Sequence, residues 1–328
     1  MNGDSESLSA LGWNARWADL LEKVSPGATP GRVVRHDGLS LVLAVTEGSI
    51  SATLGVRLDP EPTVGDWVAL VDGYPVAVLP RTSLLRRQAA MREVEQVLAA
   101  NIDIVFLVCG LDRPVKAARV QRGAALAADA GATPIIVLTK ATQAKDAASV
   151  VKRIGKANPG IPIIITSVRE GSGVAELREA ARDKTVAMVG ESGAGKSTIV
   201  NALLEKEAAA TGVVRAGDSK GRHTTTTRHL HPLPGGGALI DSPGIRSIGL
   251  WGDASSVKDA FADIAALSDQ CRFVDCRHDS EPDCTVKAAV IEGTLASERL
   301  SAWRALTEEA EASARRRLAA SRRRGSSR

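Results

Sequence analysis

Between Gly31 and Leu85 the chain alternates short apolar runs with Gly, Pro and Asp: "RVVRH", "LSLVLAV", "SATLGVRL", "DWVALV" and "YPVAVL". Runs of this length, bounded by turn residues, predict five short β-strands at small-barrel spacing, which fits an OB-type β-barrel. Ahead of them lies a polar extension with room for a helix over Trp13–Lys23. From about residue 90 the period changes. Near-continuous apolar runs ("IDIVFLVCG", "PIIVLTK", "IPIIITS", "TVAMVGE") alternate with Ala-rich segments that predict helices near 116–130, 143–157, 173–182 and from Lys196 onward. Strands apolar on both faces, each followed by a helix, predict a parallel α/β sheet covered on both sides. After Leu250 the chain turns polar and helical, with a last helix predicted near 296–320. The expected multidomain layout is therefore an extension (1–28), an OB-type five-stranded β-barrel (29–88), a central α/β domain (89–250), a helical C-terminal domain (251–312) and an Arg-rich tail (313–328).

Composition sharpens this in three ways. A chain of 328 residues, 44% hydrophobic but only 3% aromatic, has room for two or three domains with cores of Ala, Val, Leu and Ile. Trp67 and Tyr74 are the few rings the barrel could offer to stacked bases, which weakens a single-strand-binding reading. No apolar stretch approaches the ~20 residues of a membrane span. The start "MNGDSESLSA" is acidic where a signal peptide is basic and apolar, so a cytoplasmic protein with no membrane contact, and a monomer, are expected. Seven arginines and no acid fall in residues 315–328, although the whole chain is only +4. An Arg-rich tail on a slightly acidic body predicts contact with a polyanion such as nucleic acid, or else a solvated, disordered tail.

The densest chemistry lies in "TVAMVGESGAGKSTIVNALL". Gly190-Glu191-Ser192-Gly193-Ala194-Gly195-Lys196-Ser197 has the G-x-x-x-x-G-K-[ST] spacing, with a strand before it and a helix, including Thr198, after it. Glycines let backbone N–H groups turn inward around phosphates, and the helix N-terminus adds its positive end. Lys196 would supply charge to the β- and γ-phosphates, and Ser197 a hydroxyl to Mg²⁺. Downstream, "GALIDSPGIRS" ends a strand at Asp241, followed by Ser242-Pro243-Gly244. Alone this is a good turn; after a phosphate loop it reads as the Asp-x-x-Gly that touches Mg²⁺ and brings the Gly244 N–H to the γ-phosphate. Between the two, "GRHTTTTRHL" offers a Thr to close the Mg²⁺ shell: Thr225 foremost, with Thr224 and Thr226 beside it, unless the run is simply an exposed strand.

Upstream of the phosphate loop, Thr139-Lys140-Ala141-Thr142 is close to the Asn-Lys-x-Asp loop by which GTPases read guanine, and "ITSVREGSG" around Ser167 is close to the second base-side loop. Each set of loops has its usual internal order, but the two sets are exchanged along the chain. That is a circular permutation, which sheet contacts tolerate when domain termini lie close together. All the loops would still meet at the C-terminal edge of the strands.

Of the four cysteines, Cys109 lies in an apolar run and is expected in the core; the others form Cys271-x4-Cys276-x-His278-x5-Cys284. Cys₃His is a closed tetrahedral zinc set, so a structural Zn²⁺ is predicted. Charged neighbours Arg272, Asp275, Arg277 and Asp279 argue against plain core cysteines.

These motifs in this order resemble the circularly permuted ribosome small-subunit-dependent GTPases (the RsgA, or YjeQ, family). The likeness also takes in "VGDWVAL", "LPRTSLLRR", "AANIDIVFLV", "GESGAGKST", "GRHTTTTR", "DSPG" and "CRFVDCRHDSEPDC", nearly the whole chain. It implies an OB-fold, a central permuted P-loop GTPase domain and a C-terminal zinc domain. It also implies GTP/GDP with Mg²⁺, rRNA of the small ribosomal subunit as partner, and hydrolysis stimulated by that subunit late in its assembly. Two positions depart from the pattern. Thr142 stands where the guanine-reading Asp is usual, Asp146 being the nearest carboxylate that could substitute. Ile245 stands where many GTPases carry a water-positioning Gln, so hydrolysis needs help from His223 or from the ribosome. These departures keep a second reading open: a nucleotide-gated rRNA-binding factor with little hydrolysis or relaxed base specificity.

Overall fold

The computed structural model describes residues 8–37, 40–54, 57–88, 95–206, 228–241 and 254–325. The five N-terminal strands are β1 (Thr29–Asp37), β2 (Ser40–Val45), β3 (Gly48–Thr53), β4 (Trp67–Val71) and β5 (Tyr74–Val78). All their pairings are antiparallel: β2 lies between β1 and β3, and β4 between β1 and β5. β3 returns against β5, so the strands curl around Val33, Leu41, Leu43, Ala52, Val68 and Leu70. The third strand stops at Thr53, short of the Leu58 that its apolar run suggests. Pro60 and Pro62 follow, and proline cannot donate to a ladder.

The α/β domain holds β8 (Ile104–Gly110), β9 (Thr133–Thr139), β10 (Ile163–Ile165), β11 (Thr185–Gly190) and β13 (Ala238–Asp241), joined in parallel in the order β10-β9-β8-β11-β13. β12 (His229–Pro232) runs antiparallel on β13. Along β8, alternate residues feed opposite faces. Ile104, Phe106 and Val108 join the core under α4 (Val174–Ala181) and α5 (Lys196–Leu204). Val105 and Leu107 join the core under α2 (Ala117–Ala130) and α3 (Ala147–Ala157). This is the two-sided cover that the continuous apolar runs predict.

Barrel and α/β sheet are not separate sheets. β1 is bulged between Val33 and Arg35; before the bulge its edge pairs with β4, and beyond it Arg35 pairs with His229 of β12. The junction is sealed by Arg32, only 2% exposed, which donates from Nη2 to Thr185 Oγ1 (2.7 Å) and lies over the Trp67 ring (5.0 Å). Burial lowers the Arg32 pKa to about 10, against the carboxylates of Asp103 and Asp66. Trp67 also packs on Trp13 (4.8 Å between rings) and on Trp17 (6.0 Å) of α1 (Ala15–Val24). Trp67 is therefore an internal wedge rather than a stacking platform, while Tyr74 is exposed.

A hairpin of β6 (Leu84–Gln88) and β7 (Glu95–Ala100) was not legible as such, and the expected boundary at residues 88 and 89 falls between its strands. Among the described residues β6 buries Leu85 and β7 buries the consecutive Leu98, Ala99 and Ala100, so neither shows the alternation that marks a strand.

The C-terminal region is α6 (Ala254–Ala260), α7 (Ala262–Ser268), α8 (Thr285–Ile291) and α9 (Ser297–Gly325). It covers α2 through Ser256 Oγ to Asp129 Oδ1 (2.8 Å) and the Arg122–Glu309 pair (2.6 Å). Buried Arg299 grips both Asp263 oxygens at 2.6 Å, lies over Phe261 (4.5 Å) and donates to the Ala157 carbonyl that ends α3. α9 runs straight through the segment expected as a separate tail from residue 313. Arginine is a good helix former, and its charge suits a helix C-terminus. Among the described residues no helix is long and apolar enough to cross a membrane.

Candidate functional site

Three of the loops singled out by sequence, at 139–142, around Ser167 and at 190–197, gather at the C-terminal edge of the parallel strands, around the ends of β9, β10 and β11. The phosphate-loop candidate, Gly190 to Ser197, leaves β11 and enters α5. Gly190 lies so close to β8 that a Cβ would strike the Val108 carbonyl. Gly195, at φ +97°, is the N-cap of α5 and approaches Thr139 so closely that a Cβ would lie 3.2 Å from its Oγ1. Only glycine fits either place. Between them Glu191 and Ser192 are half-buried, Gly193 is exposed and Ala194 is buried. Lys196 curls back inside the loop, its Nζ 2.6 Å from the carbonyls of both Gly190 and Glu191. These two carbonyls are neutral acceptors, weaker partners for an ammonium than charged phosphate oxygens. Ser197 and Thr198, on the first turn of α5, are half-buried.

The base-side loops flank it. Thr139 ends β9, buried, and its Oγ1 donates to the Ala194 carbonyl at 2.5 Å, tying one loop to the other. Lys140 takes the left-handed conformation (φ 58°) and sends Nζ to Asp112 Oδ2 at 2.8 Å. Ala141 N–H reaches the Thr166 carbonyl (3.2 Å). Thr142 is exposed, with Oγ1 3.4 Å from Oγ of the buried Ser167. Asp146 does not take the missing carboxylate's place. It is the N-cap of α3, and its Oδ1 accepts from Ser149 N–H (2.9 Å). Asp241 ends β13, half-buried, opposite His229. His223, Thr224, Thr225 and Thr226, with Gly244 and Ile245, lie outside the described residues.

Sequence reading missed Asp112. It follows β8, the strand beside β11, so the sheet order alone brings it to the site. Burial works to raise its pKa, but hydrogen bonds from Lys140 and Arg113 win and hold its carboxyl below the usual carboxylate range. Arg119 was also missed; it pairs with Glu191 of the phosphate loop at 2.5 Å. A polar residue just beyond a parallel strand was the available signal for Asp112. Nothing local marked Arg119. Cys109 is half-buried, and burial pushes its thiol up to about 11, fitting the inert core residue expected.

The second cluster lies at the C-terminal end of α7. The ligand atoms of Cys271, Cys276, His278 and Cys284 all lie within 4.8 Å of one another, and the last two residues are buried. Cys284 caps α8, its Sγ accepting from Lys287 N–H (3.5 Å). The Glu281 carboxylate accepts from Arg277 and Asp279 N–H, which holds it down to about 2 and clamps the turn. His278 packs on Trp303 and its carbonyl accepts from Arg304. Its Nδ1 faces Cys284 Sγ (3.4 Å) and Cys271 Sγ (3.6 Å), while Nε2 meets Ser268 Oγ at 2.9 Å. The Ser268 proton goes to the Ile264 carbonyl (2.7 Å), so Ser268 must accept from Nε2–H. That fixes the tautomer with the Nδ1 lone pair directed at the thiols, the form a metal takes. Ser268→Ala is expected to lower zinc affinity by about 10- to 100-fold while leaving the fold intact, as read by chelator competition.

Comparison with known proteins agrees with this geometry. The family model described as RsgA GTPase matches residues 78–251. The small ribosomal subunit biogenesis GTPase RsgA of Streptomyces coelicolor is 40% identical, covering 94% of this chain and 88% of that protein. The protein of the same name from Opitutus terrae is 40% identical, covering 94% and 91%. Among solved structures, YjeQ from Thermotoga maritima aligns with a TM-score of 0.67 at 26% identity, over 86% of this chain and 98% of that one. YloQ, a circularly permuted GTPase, aligns at 0.64 and 22% identity, over 87% and 95%, a likeness of fold.

Proposed function

The chain belongs to the RsgA GTPase family, and from that premise we propose that it binds the small ribosomal subunit late in assembly and hydrolyses GTP when the subunit stimulates it. The observation that carries this reading is the phosphate loop with Lys196 curled inside it, laced to the base-side loop by Thr139.

The residues fit a guanine nucleotide with Mg²⁺. Gly190 and Gly195 let the loop pack tightly against β8 and against Thr139, which shapes the turn whose backbone would face the phosphates. Ser197 and Asp241 are hard oxygen donors of the kind Mg²⁺ takes, and Thr225 would complete them. The metal's chemistry is to neutralise charge on the phosphate oxygens. In the chain's own part, Lys196 releases the two carbonyls and holds the β- and γ-phosphates. The Gly190–Thr198 amides and the N-terminus of α5 surround the phosphates. The Gly244 N–H orients the γ-phosphate. Thr139, Lys140, Ala141, Thr142 and Ser167 border the base. Ile245 cannot orient water, so His223 or the ribosome does so.

Cys271, Cys276, His278 and Cys284 hold one Zn²⁺ with no open position, so the ion is structural. The barrel, the zinc knuckle and the Arg-rich end of α9 grip rRNA through its phosphates. The protein acts as a cytoplasmic monomer.

The test is phosphate release from GTP, with ATP in parallel, with and without purified small subunits. A large subunit-dependent rise with GTP is the expected result. GTP binding without such a rise would favour the second reading, a nucleotide-gated rRNA-binding factor, to which Ile245 points.

A further inference from the structure

Resting on the reading of this site as a GTPase centre, we infer that its base pocket does not sense the purine 2-amino group: it takes guanosine and inosine triphosphates alike, and Thr142 sets this. Guanine offers two neighbouring donors on one edge, N1–H and the 2-amino group. Hypoxanthine, the base of inosine, offers the first and lacks the second. A carboxylate has two oxygens and accepts both donors with charge assistance. Thr142 has a single uncharged hydroxyl, and that oxygen lies 3.4 Å from the Ser167 hydroxyl, with which it shares its hydrogen-bonding capacity.

Two carboxylates of this corner, Asp146 and Asp112, are committed. Asp146 caps α3 through Ser149 N–H at 2.9 Å. Asp112 is held between Lys140 Nζ (2.8 Å) and Arg113 Nη2 (3.2 Å). The Thr142 hydroxyl thus serves N1–H, the donor both bases share, and leaves the 2-amino group to water. A group exposed to water in both the free and the bound nucleotide contributes little to discrimination. Adenine differs from both bases at the six position and serves as a separate reference.

The experiment measures dissociation constants of GTP, ITP and ATP with Mg²⁺ by displacement of a fluorescent guanine nucleotide, using the full chain and Thr142→Asp. Thr142 is exposed, so the variant keeps the fold, which thermal melting verifies. For the unchanged chain, GTP and ITP are expected to bind within about threefold of each other. Thr142→Asp is expected to tighten GTP by about ten- to a hundredfold, and ITP by much less. A preference of about thirtyfold or more for GTP over ITP in the unchanged chain would overturn the inference and leave the GTPase reading standing; exposed Glu170 on the neighbouring loop would then be the next carboxylate to replace. A Thr142→Asp protein with unaltered GTP affinity would overturn it as well. If no nucleotide binds in a Mg²⁺-dependent way, the GTPase reading itself falls.

Discussion

Lys196→Ala is expected to lower subunit-stimulated GTP turnover by at least about 100-fold, the scale on which a preorganised charge at a transition state acts. The ammonium is the cation at the heart of the loop, and its partners include two backbone carbonyls 2.6 Å away. Phosphate oxygens are better acceptors than carbonyls because they carry charge, and more charge collects on them as the terminal phosphoryl group departs. The loss should therefore fall on turnover more heavily than on GTP affinity. The variant does lose the internal ties to Gly190 and Glu191, but the loop keeps its link from Thr139 to Ala194 and the ion pair from Arg119 to Glu191. Its melting temperature should accordingly stay within a few degrees of the parent. A folded Lys196→Ala protein with turnover near the parent's would remove the phosphate loop from the mechanism.

Zinc removal is expected to have the largest effect on structure. Four candidate ligands spread over residues 271–284 would hold a turn that the helices alone do not: α7 and α8 have 7 residues each, well below the length at which a helix is stable by itself. Structural zinc sites contribute about 10–16 kcal/mol, as much as the whole stability of an ordinary domain. A strong chelator, or Cys284→Ser, should abolish hydrogen-exchange protection over residues 262–295. The long α9 should keep part of its protection, since it packs on α2 through Glu309 and on α7 through Arg299. Protein purified without chelator should carry about one zinc per chain, the stoichiometry of a four-ligand site. Metal-free protein with intact protection would mean that the cysteines are ordinary core residues.

Much of this molecule was readable from one-dimensional pattern. The parallel strands declared themselves because burial on both faces demands continuous apolar runs, and the barrel strands because turn residues cut them to length. The candidate phosphate loop and the Cys₃His set stood out in the sequence because such chemistry needs fixed spacing within a single segment, and the four Cys and His ligand atoms do lie together. What escaped reading depends on contacts between distant segments. Asp112 reaches the site because β8 lies beside β11, a pairing that local sequence does not encode. Ser268 matters only because α7 presents it to a histidine ten residues on. Trp67 looked available to bases, yet the indoles of Trp13 and Trp17 and the guanidinium of Arg32 enclose it. The Arg-rich end read as a tail because like charges suggest disorder, whereas arginine's intrinsic preference for helix extends α9 to Gly325.

The strand order has a further consequence during synthesis. When the ribosome has made residues 1 to about 182, β1–β5 and β8–β10 are all present, but the strands that unite them are not. β8 then has one unpaired edge and β1 another, and both await β11, β13 and β12. An unpaired apolar edge is a template for wrong pairing with another chain. At ~5–20 residues per second, the stretch up to Asp241 takes roughly 3–12 s to emerge. For that interval the backbone edge of β8 that β11 will pair, and the Phe106 side that α5 will cover, are open to neighbouring nascent chains. A protein that joins its halves last depends more than an ordinary one on being shielded while it is made.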